Sequence, residues 1–307
     1  MPSLAILSTL LALAVAFPLN NPPAPQTCNG DSRLCDRQYS NITFIGAHDS
    51  PFVGTPDNLA ANQGLDLQAQ LAAGIRFFSA QAHQNVLGQL DFCHTYCWEY
   101  DAGPVTDYLS TLASWLDANP NDVVTLLLVN GGFYDVSLYA AAFESTNLSQ
   151  YAYAPNKTLQ LDEWPTLAQM IKANTRLVAL MDYGANTTTT PYILPEFSTY
   201  YFETPYDTTN PLFPECSINR PPGASAQGRM YGMNHFLDLD VLATGIDVPD
   251  NARDVETNAA EGPGSIGAQA EVCAGLYGRY PNFVLVDRVA VGEVFVAQER
   301  MNFAAGR

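Results

Sequence analysis

Apolar residues gather in short runs of strand length, separated by stretches with helical spacing. The runs are Ile42–Ala47, Ile75–Ala80, Leu90–Cys93, Val123–Val129, Leu177–Met181, Tyr200–Phe202, Met230–Met233 and Phe283–Val286. Continuous runs of this kind suit strands buried on both faces of a parallel sheet. Between them, Val105, Tyr108, Leu109, Leu112, Trp115 and Leu116 recur at helical spacing until Asn119-Pro120 stops the pattern. Gln68–Ala73 predicts a helix closed by Gly74 as a left-handed cap. Asp135 caps a helix through Phe143, and Trp164-Pro165-Thr166 opens another with proline in its first turn. Strands alternating with helices over residues 39–307 predict an α/β fold. The expected architecture is a single (β/α)₈ TIM-type barrel, irregular or incompletely closed. A doubly wound open sheet would call for a glycine-rich phosphate turn after the first strand, and Gly46-Ala47-His48-Asp49 is not one.

The barrel reading directs attention to the strand ends, because active sites of such barrels sit at the C-terminal face. The polar residues closing the runs are His48, Gln81, His94, Asn130, Asp182, Glu203, Asn234 and Asp287. Of the 4 histidines, His48, His94 and His235 lie at these ends, and His83 follows Gln81 by two positions. Two imidazoles at neighbouring strand ends make a general acid–base pair, each needing an orienting acceptor on its far ring nitrogen. Asp49 and Asp287 are the candidates. Asn234 and His235 read equally well as partners of neighbouring backbone. Arg76, at the start of its strand, reads as a structural ion pair at the opposite end of the barrel.

The termini and cysteines place the chain in a compartment. Leu4 to Ala16 is apolar apart from Ser8 and Thr9 and ends in Ala14-Val15-Ala16, which predicts a secretory signal peptide over residues 1–16. Residues 17–38 read as an extended linker leading into a disulfide segment. The 6 cysteines are even in number, as in an oxidised exported protein. Proximity pairs Cys28 with Cys35 and Cys93 with Cys97, leaving Cys216 with Cys273. Zinc binding at Cys93-His94-x-x-Cys97 is the competing and weaker reading in an oxidising compartment. Glycosylation sequons begin at Asn41, Asn147, Asn156 and Asn186.

Composition narrows the function further. With 31 acidic and 13 basic side chains, the net charge is −18, which excludes a basic stripe for nucleic acid or a polybasic membrane patch. Charged residues make up 14% of the chain against about a quarter in ordinary domains, while apolar content at 47% is normal, so the chain folds around a core. The expectation is a secreted monomer that neither binds nucleic acid nor inserts stably in a membrane.

Three segments carry a family resemblance: Ile45-Gly46-Ala47-His48-Asp49-Ser50, Ala73-Gly74-Ile75-Arg76-Phe77-Phe78, and Leu90-x-x-Cys93-His94-Thr95. They resemble the catalytic X region of phosphatidylinositol-specific phospholipase C, and most closely the secreted PLC-like phosphodiesterases with a TIM-type barrel. Trp115-Leu116-x-x-Asn119-Pro120-Asn121-Asp122, Glu203-Thr204-Pro205-Tyr206 and Pro281-Asn282-Phe283-Val284-Leu285-Val286-Asp287 extend the likeness over residues 39–303. The resemblance implies hydrolysis of a phosphodiester substrate, lipid or lipid-derived, through a cyclic phosphodiester. His48 is then the base on a head-group hydroxyl, oriented by Asp287, and His94 the acid on the leaving alcohol, oriented by Asp49.

The pattern departs from the family at Ser79 and Gln81. Metal-free members carry an Asp and a phosphate-neutralising Arg there, and calcium-dependent members carry carboxylates. Gln81 is left as a neutral donor to substrate, with Asn130, Asp182, Glu203 and Asn234 as further pocket residues. No cofactor is expected, and activity should resist chelation. Two other functions fit parts of the sequence: a non-catalytic barrel that binds a phosphodiester head group or sugar, and a glycosidase using Asp182 and Glu203 as its carboxylate pair.

Overall fold

The computed structural model describes residues 27–241 and 247–304. The expected signal peptide and most of the following linker lie outside the described residues. The strands are β1 (Phe44–Ala47), β2 (Phe77–Gln84), β3 (Leu90–His94), β4 (Tyr100–Pro104), β5 (Val124–Asn130) and β6 (Leu177–Met181). They continue with β7 (Ile193–Pro195), β8 (Tyr201–Glu203), β9 (Met230–Asn234), β10 (Asp238–Asp240), β11 (Asp247–Pro249) and β12 (Phe283–Val286). Eight of these form one curled parallel sheet in the order β7-β6-β5-β2-β1-β12-β9-β8. Chain order runs around the curl, so the sheet is a TIM-type barrel. Its ladder is open between β7 and β8, which a single π-type turn, Glu196–Tyr200, joins directly.

Seven of the eight apolar runs are barrel strands. The Leu90–Cys93 run is instead β3, which pairs antiparallel with the overhanging end of β2, Ala82 opposite Phe92, and then with β4. The eighth barrel strand is the three-residue β7. Too short for a pattern, and ending in Pro195, it gives little signal. The β2–β3 hairpin therefore rises above the barrel and returns, setting His94 back at the rim.

Strand alternation sorts the core into two layers. Phe44, Phe77, Leu127, Val178, Leu180, Leu194, Tyr201, Phe283 and Leu285 pack together inside the barrel. Ile45, Ala47, Phe78, Ala80, Leu126, Leu128 and Val284 pack outward among the helices. Each strand is thus buried on both faces, as its continuous apolar run requires. The same alternation directs Ser79 and Gln81 inward above Phe77.

The outer helices include α1 (Leu67–Ala73), α2 (Val105–Ala118), α3 (Val136–Ser145), α4 (Leu167–Ala173), α5 (Asp254–Thr257), α6 (Ile266–Tyr277) and α7 (Val294–Phe303). Asp66 caps α1 by accepting from the Ala69 N–H, and Gly74 ends it at φ 108°. Asp135 caps α3. In α4 the cap is Thr166, in a reciprocal capping box with Gln169, so Pro165 precedes the helix instead of opening its first turn. Arg76 pairs with Asp122 at 2.7 Å at the lower end of the barrel, a structural role. The disulfides are Cys28–Cys35, Cys93–Cys97 and Cys216–Cys273, as proximity suggested.

Candidate active site

A cavity of about 290 Å³ opens at the C-terminal mouth of the barrel, floored by Leu127, Val129 and Leu285. Strand register builds the first pair of candidate residues. Ala47 pairs with Val286 in the β1–β12 ladder, so the next residues, His48 and Asp287, emerge side by side. His48 Nδ1 lies 2.9 Å from Asp287 Oδ1. The Asn62 amide donates to the other Asp287 oxygen at 3.2 Å. Gln63 donates to the carbonyls of both His48 and Val286 and locks the two strand ends together. Phe236 lies flat against the imidazole, with ring centroids 3.7 Å apart.

The second imidazole arrives from the hairpin. His94 sits inside the Cys93–Cys97 disulfide loop, and the next residue, Thr95, has φ 53°. Gln81 Oε1 accepts the Thr95 N–H, fixing this turn to β2. Phe52 meets the His94 ring edge-on at 5.0 Å. Asp49 stands between the histidines, its Oδ2 3.8 Å from Nε2 of each. It has φ 42°, a left-handed conformation that Asp tolerates better than most residues, and its N–H donates to Ser79 Oγ at 2.9 Å. Ser79 and Gln81 thus hold the two turns that carry the site. On the far side of His94, Nδ1 is 4.0 Å from Glu99 and has no hydrogen-bond partner among the described residues.

The electrostatics favour a charged His48. Burial opposes the imidazolium, but the Asp287 and Asp49 carboxylates, the hydrogen bond to Asp287 and the nearby Asp238 outweigh it and raise the pKa to about 9. Stacking on Phe236 adds a cation–π contribution of the same sign. Asp238 is driven up to about 7, first by burial and then by Asp287, against the opposing pull of His48. It reaches the cavity from the β10–β11 hairpin together with Asp247, while Asp207 enters from the segment after β8.

Of the residues the sequence pointed to, His48, Asp49, Gln81 and His94 line this cavity, with Asp287 behind His48. Asn130, Asp182, Glu203 and Asn234 are not among its described lining residues. Asn130 spends its side chain on Tyr134, Tyr139 and the Tyr183 carbonyl. Asp182 accepts the N–H groups of Asn130 and Tyr183, and burial lifts its pKa to about 6. Glu203 pairs with Arg220, and Asn234 donates to Glu203 at 3.4 Å and to the Thr204 carbonyl at 2.9 Å. His235 is buried between Gln269 and the Thr257 carbonyl, with its pKa lowered by burial to about 4. His83 packs against Gly131, away from the described lining. Sequence reasoning missed Asn62, Phe236 and Arg220, all in segments without periodicity. Among the described residues, no group of three His, Cys, Asp or Glu side chains is arranged to hold a metal ion.

The family model described as PI-PLC X 1 matches residues 34–302. The chain belongs to the PI-PLC X family. A PI-PLC X domain-containing protein 1 of Arthroderma benhamiae is 46% identical over 276 residues, covering 90% of this chain and 89% of the relative. An uncharacterized secreted protein of the same fungus is 44% identical over 296 residues, 94% of this chain and 66% of that relative. Among solved structures, the phosphatidylinositol-specific phospholipase C of Listeria monocytogenes superposes with a TM-score of 0.56 at 12% identity, covering 87% of this chain and 94% of that one. A variant of the Staphylococcus aureus enzyme gives 0.55 at 12% identity over 87% and 94%. These likenesses establish the barrel fold of a PI-PLC X family member.

Proposed function

We propose that this PI-PLC X family chain is a secreted phosphoric diester hydrolase acting on a lipid or lipid-derived phosphodiester. The observation that carries the reading is the pair of imidazoles, each with Nε2 at 3.8 Å from Asp49 at the mouth of one cavity. In the first step His48 takes the proton of a hydroxyl on the substrate's head group. That oxygen attacks phosphorus, the bond from phosphorus to the leaving alcohol breaks, and His94 protonates the departing oxygen. A cyclic phosphodiester results. Water then opens the ring with the two histidines in exchanged roles, and each returns to its starting protonation state. Each proton transfer contributes about 10²–10⁴ in rate. Asp287, steadied by Asn62, keeps the His48 ring in register, and no metal enters the steps.

His48 begins as a cation in the free cavity, so the base form is drawn from the minor, deprotonated population near neutral pH. The carboxylates of Asp49, Asp207, Asp238 and Asp247 around the mouth disfavour polyanionic head groups. Neutral, zwitterionic or soluble phosphodiesters fit this cavity better than phosphorylated inositides. Export is supported by the three disulfides and by exposure of all four sequon asparagines, Asn41, Asn147, Asn156 and Asn186.

The test is a ³¹P NMR screen of phosphoinositides, glycerophosphodiesters and lysophospholipids against the purified protein. A transient cyclic phosphate is expected with at least one class, and His48→Ala and His94→Ala should each lower turnover by 10²-fold or more. Full activity in either variant would remove the assignment. Binding without turnover across pH 4–8 would favour a non-catalytic barrel.

A further inference from the structure

A phosphodiester enters this cavity as an anion, and the cavity is poor in positive charge. Its lining holds the carboxylates of Asp49, Asp207, Asp238 and Asp247, and among the described residues Arg220 is the single lysine or arginine. We propose that Arg220 binds a non-bridging oxygen of the substrate phosphodiester through Nη1. It would thereby stabilise the charge that builds on phosphorus during attack and departure. The inference deepens the phosphodiesterase reading and rests on it.

The guanidinium is fixed before any ligand arrives. Glu203, the last residue of β8, donates its N–H to the Arg220 carbonyl at 2.8 Å, and its own carbonyl accepts from Asn219 at 2.9 Å. This backbone bridge carries Arg220 to the strand end. Its Nη2 donates to the Glu203 carboxylate, which also receives Asn234. The plane lies against Tyr206, 4.2 Å from the ring centroid, and Phe197 approaches at 5.3 Å. One nitrogen is therefore committed to the protein. Nε is buried without a partner, and Nη1 has none among the described residues. The side chain keeps 27% of its surface exposed, so the group is held yet open to the cavity.

The acidic neighbours of Arg220 do not silence it. Burial and the adjacent Glu203 push the Glu196 carboxyl well above the carboxylate range, which favours its neutral form. Despite its burial, Glu203 is kept low by Arg220. Glu203 is thus the carboxylate paired with the guanidinium, and a fork of five N–H donors can serve a carboxylate and a phosphate on different edges. A donor fixed in this way costs no reorganisation when charge develops, and removing one typically costs 10²–10³ in kcat.

The experiment uses dimethyl phosphate, a phosphodiester monoanion without a hydroxyl that could cyclise, so it binds without turning over. Its binding to the whole protein is followed by ³¹P line broadening, for wild type, Arg220→Gln and Arg220→Gln/Glu203→Gln. The double variant removes both members of the Arg220–Glu203 pair, so neither is left facing an absent partner, in case the single variant fails to fold. Binding at least tenfold weaker in the folded variant is expected. In the wild type, phenylglyoxal should modify Arg220, mapped by mass spectrometry, and dimethyl phosphate should protect it. Absence of wild-type binding, binding within twofold in the variants, or an Arg220 that is unreactive or unprotected would each overturn the proposal. Wild-type turnover that Arg220→Gln leaves undiminished overturns the role of Arg220 alone, whereas failure of every phosphodiester in the screen overturns the phosphodiesterase reading.

Discussion

Gln81 Oε1 accepts the Thr95 N–H at 2.6 Å and so ties the His94 turn to barrel strand β2. The tie predicts the effect of a side chain of similar size without an acceptor. Gln81→Leu leaves the Thr95 amide without this partner and lets the turn drift from Asp49. Turnover is expected to fall tenfold to a hundredfold with little change in KM, because a displacement of about 1 Å can cost 10²-fold. Steady-state kinetics with the substrate found by the ³¹P screen checks it. A rise in KM with kcat unchanged would mean that Gln81 serves binding instead.

The raised pKa of His48 fixes the sign of the pH dependence. With His48 as base, its deprotonation gives kcat/KM a component that increases with pH and levels off past its free-enzyme pKa of about 9, set against the loss of the acid's proton from His94. Were His48 the acid, its own titration would lower the rate only as pH passes about 9. Ring-proton NMR of His48 gives the midpoint directly, and a value below 7 would contradict the carboxylate cage. Asp287→Asn removes the largest opposing charge, so the midpoint should move down. Stability follows the same linkage. The folded-state pKa lies above the ordinary value of 6.5, so this contribution is full below 6.5 and is lost as pH rises through about 9.

Two disulfides should rank in opposite order for stability and activity. Loop closure over the 57-residue separation of Cys216–Cys273 is worth about 4 kcal/mol, against about 2 kcal/mol for the 4-residue separation of Cys93–Cys97. Replacing Cys216 and Cys273 by serine should therefore lower Tm more. Replacing Cys93 and Cys97 should cost more turnover, since His94 sits in that loop. Thermal denaturation and kinetics on the same two variants decide the ranking.

Gly46 is a packing requirement of the barrel interior. A Cβ there would stand 2.2 Å from Phe77 Cδ1 and 3.1 Å from Leu285 Cδ2. Phe77 is fully buried and cannot swing away. Gly46→Ala is expected to destabilise by about 1–3 kcal/mol, with Gly46→Val worse. Urea unfolding with an unchanged m-value would show the effect as loss of stability alone.

Seven barrel strands were legible because burial on both faces leaves a continuous apolar run that solvent-exposed strands lack. The Leu90 run misled because a short apolar run carries no sign of whether its partner is parallel, and β3 buries Phe92 and Cys93 as a barrel strand would. His48 and Asp287 were readable because each directly follows such a run, and the pairing of Ala47 with Val286 converts that position into contact. Glu203 and Asn234 follow runs equally closely, yet they turn to Arg220 and Thr204; side-chain partnership is invisible to position. Arg220 lies 17 residues beyond Glu203 in an irregular segment, and only the folded chain shows that it comes back to the same strand end.

The hairpin of β3 and β4 stands apart from the barrel that carries His48. It is an insertion in one strand-to-helix connection, and the eight barrel strands pair without it. One imidazole therefore belongs to the framework and the other to an appendage. Mutations that reshape or shorten residues 85–99 would displace His94 while β1 and β12 keep their pairing. Under the proposed function, the difference between an enzyme and a binding protein would rest on one hairpin that the barrel strands do not need for their own pairing.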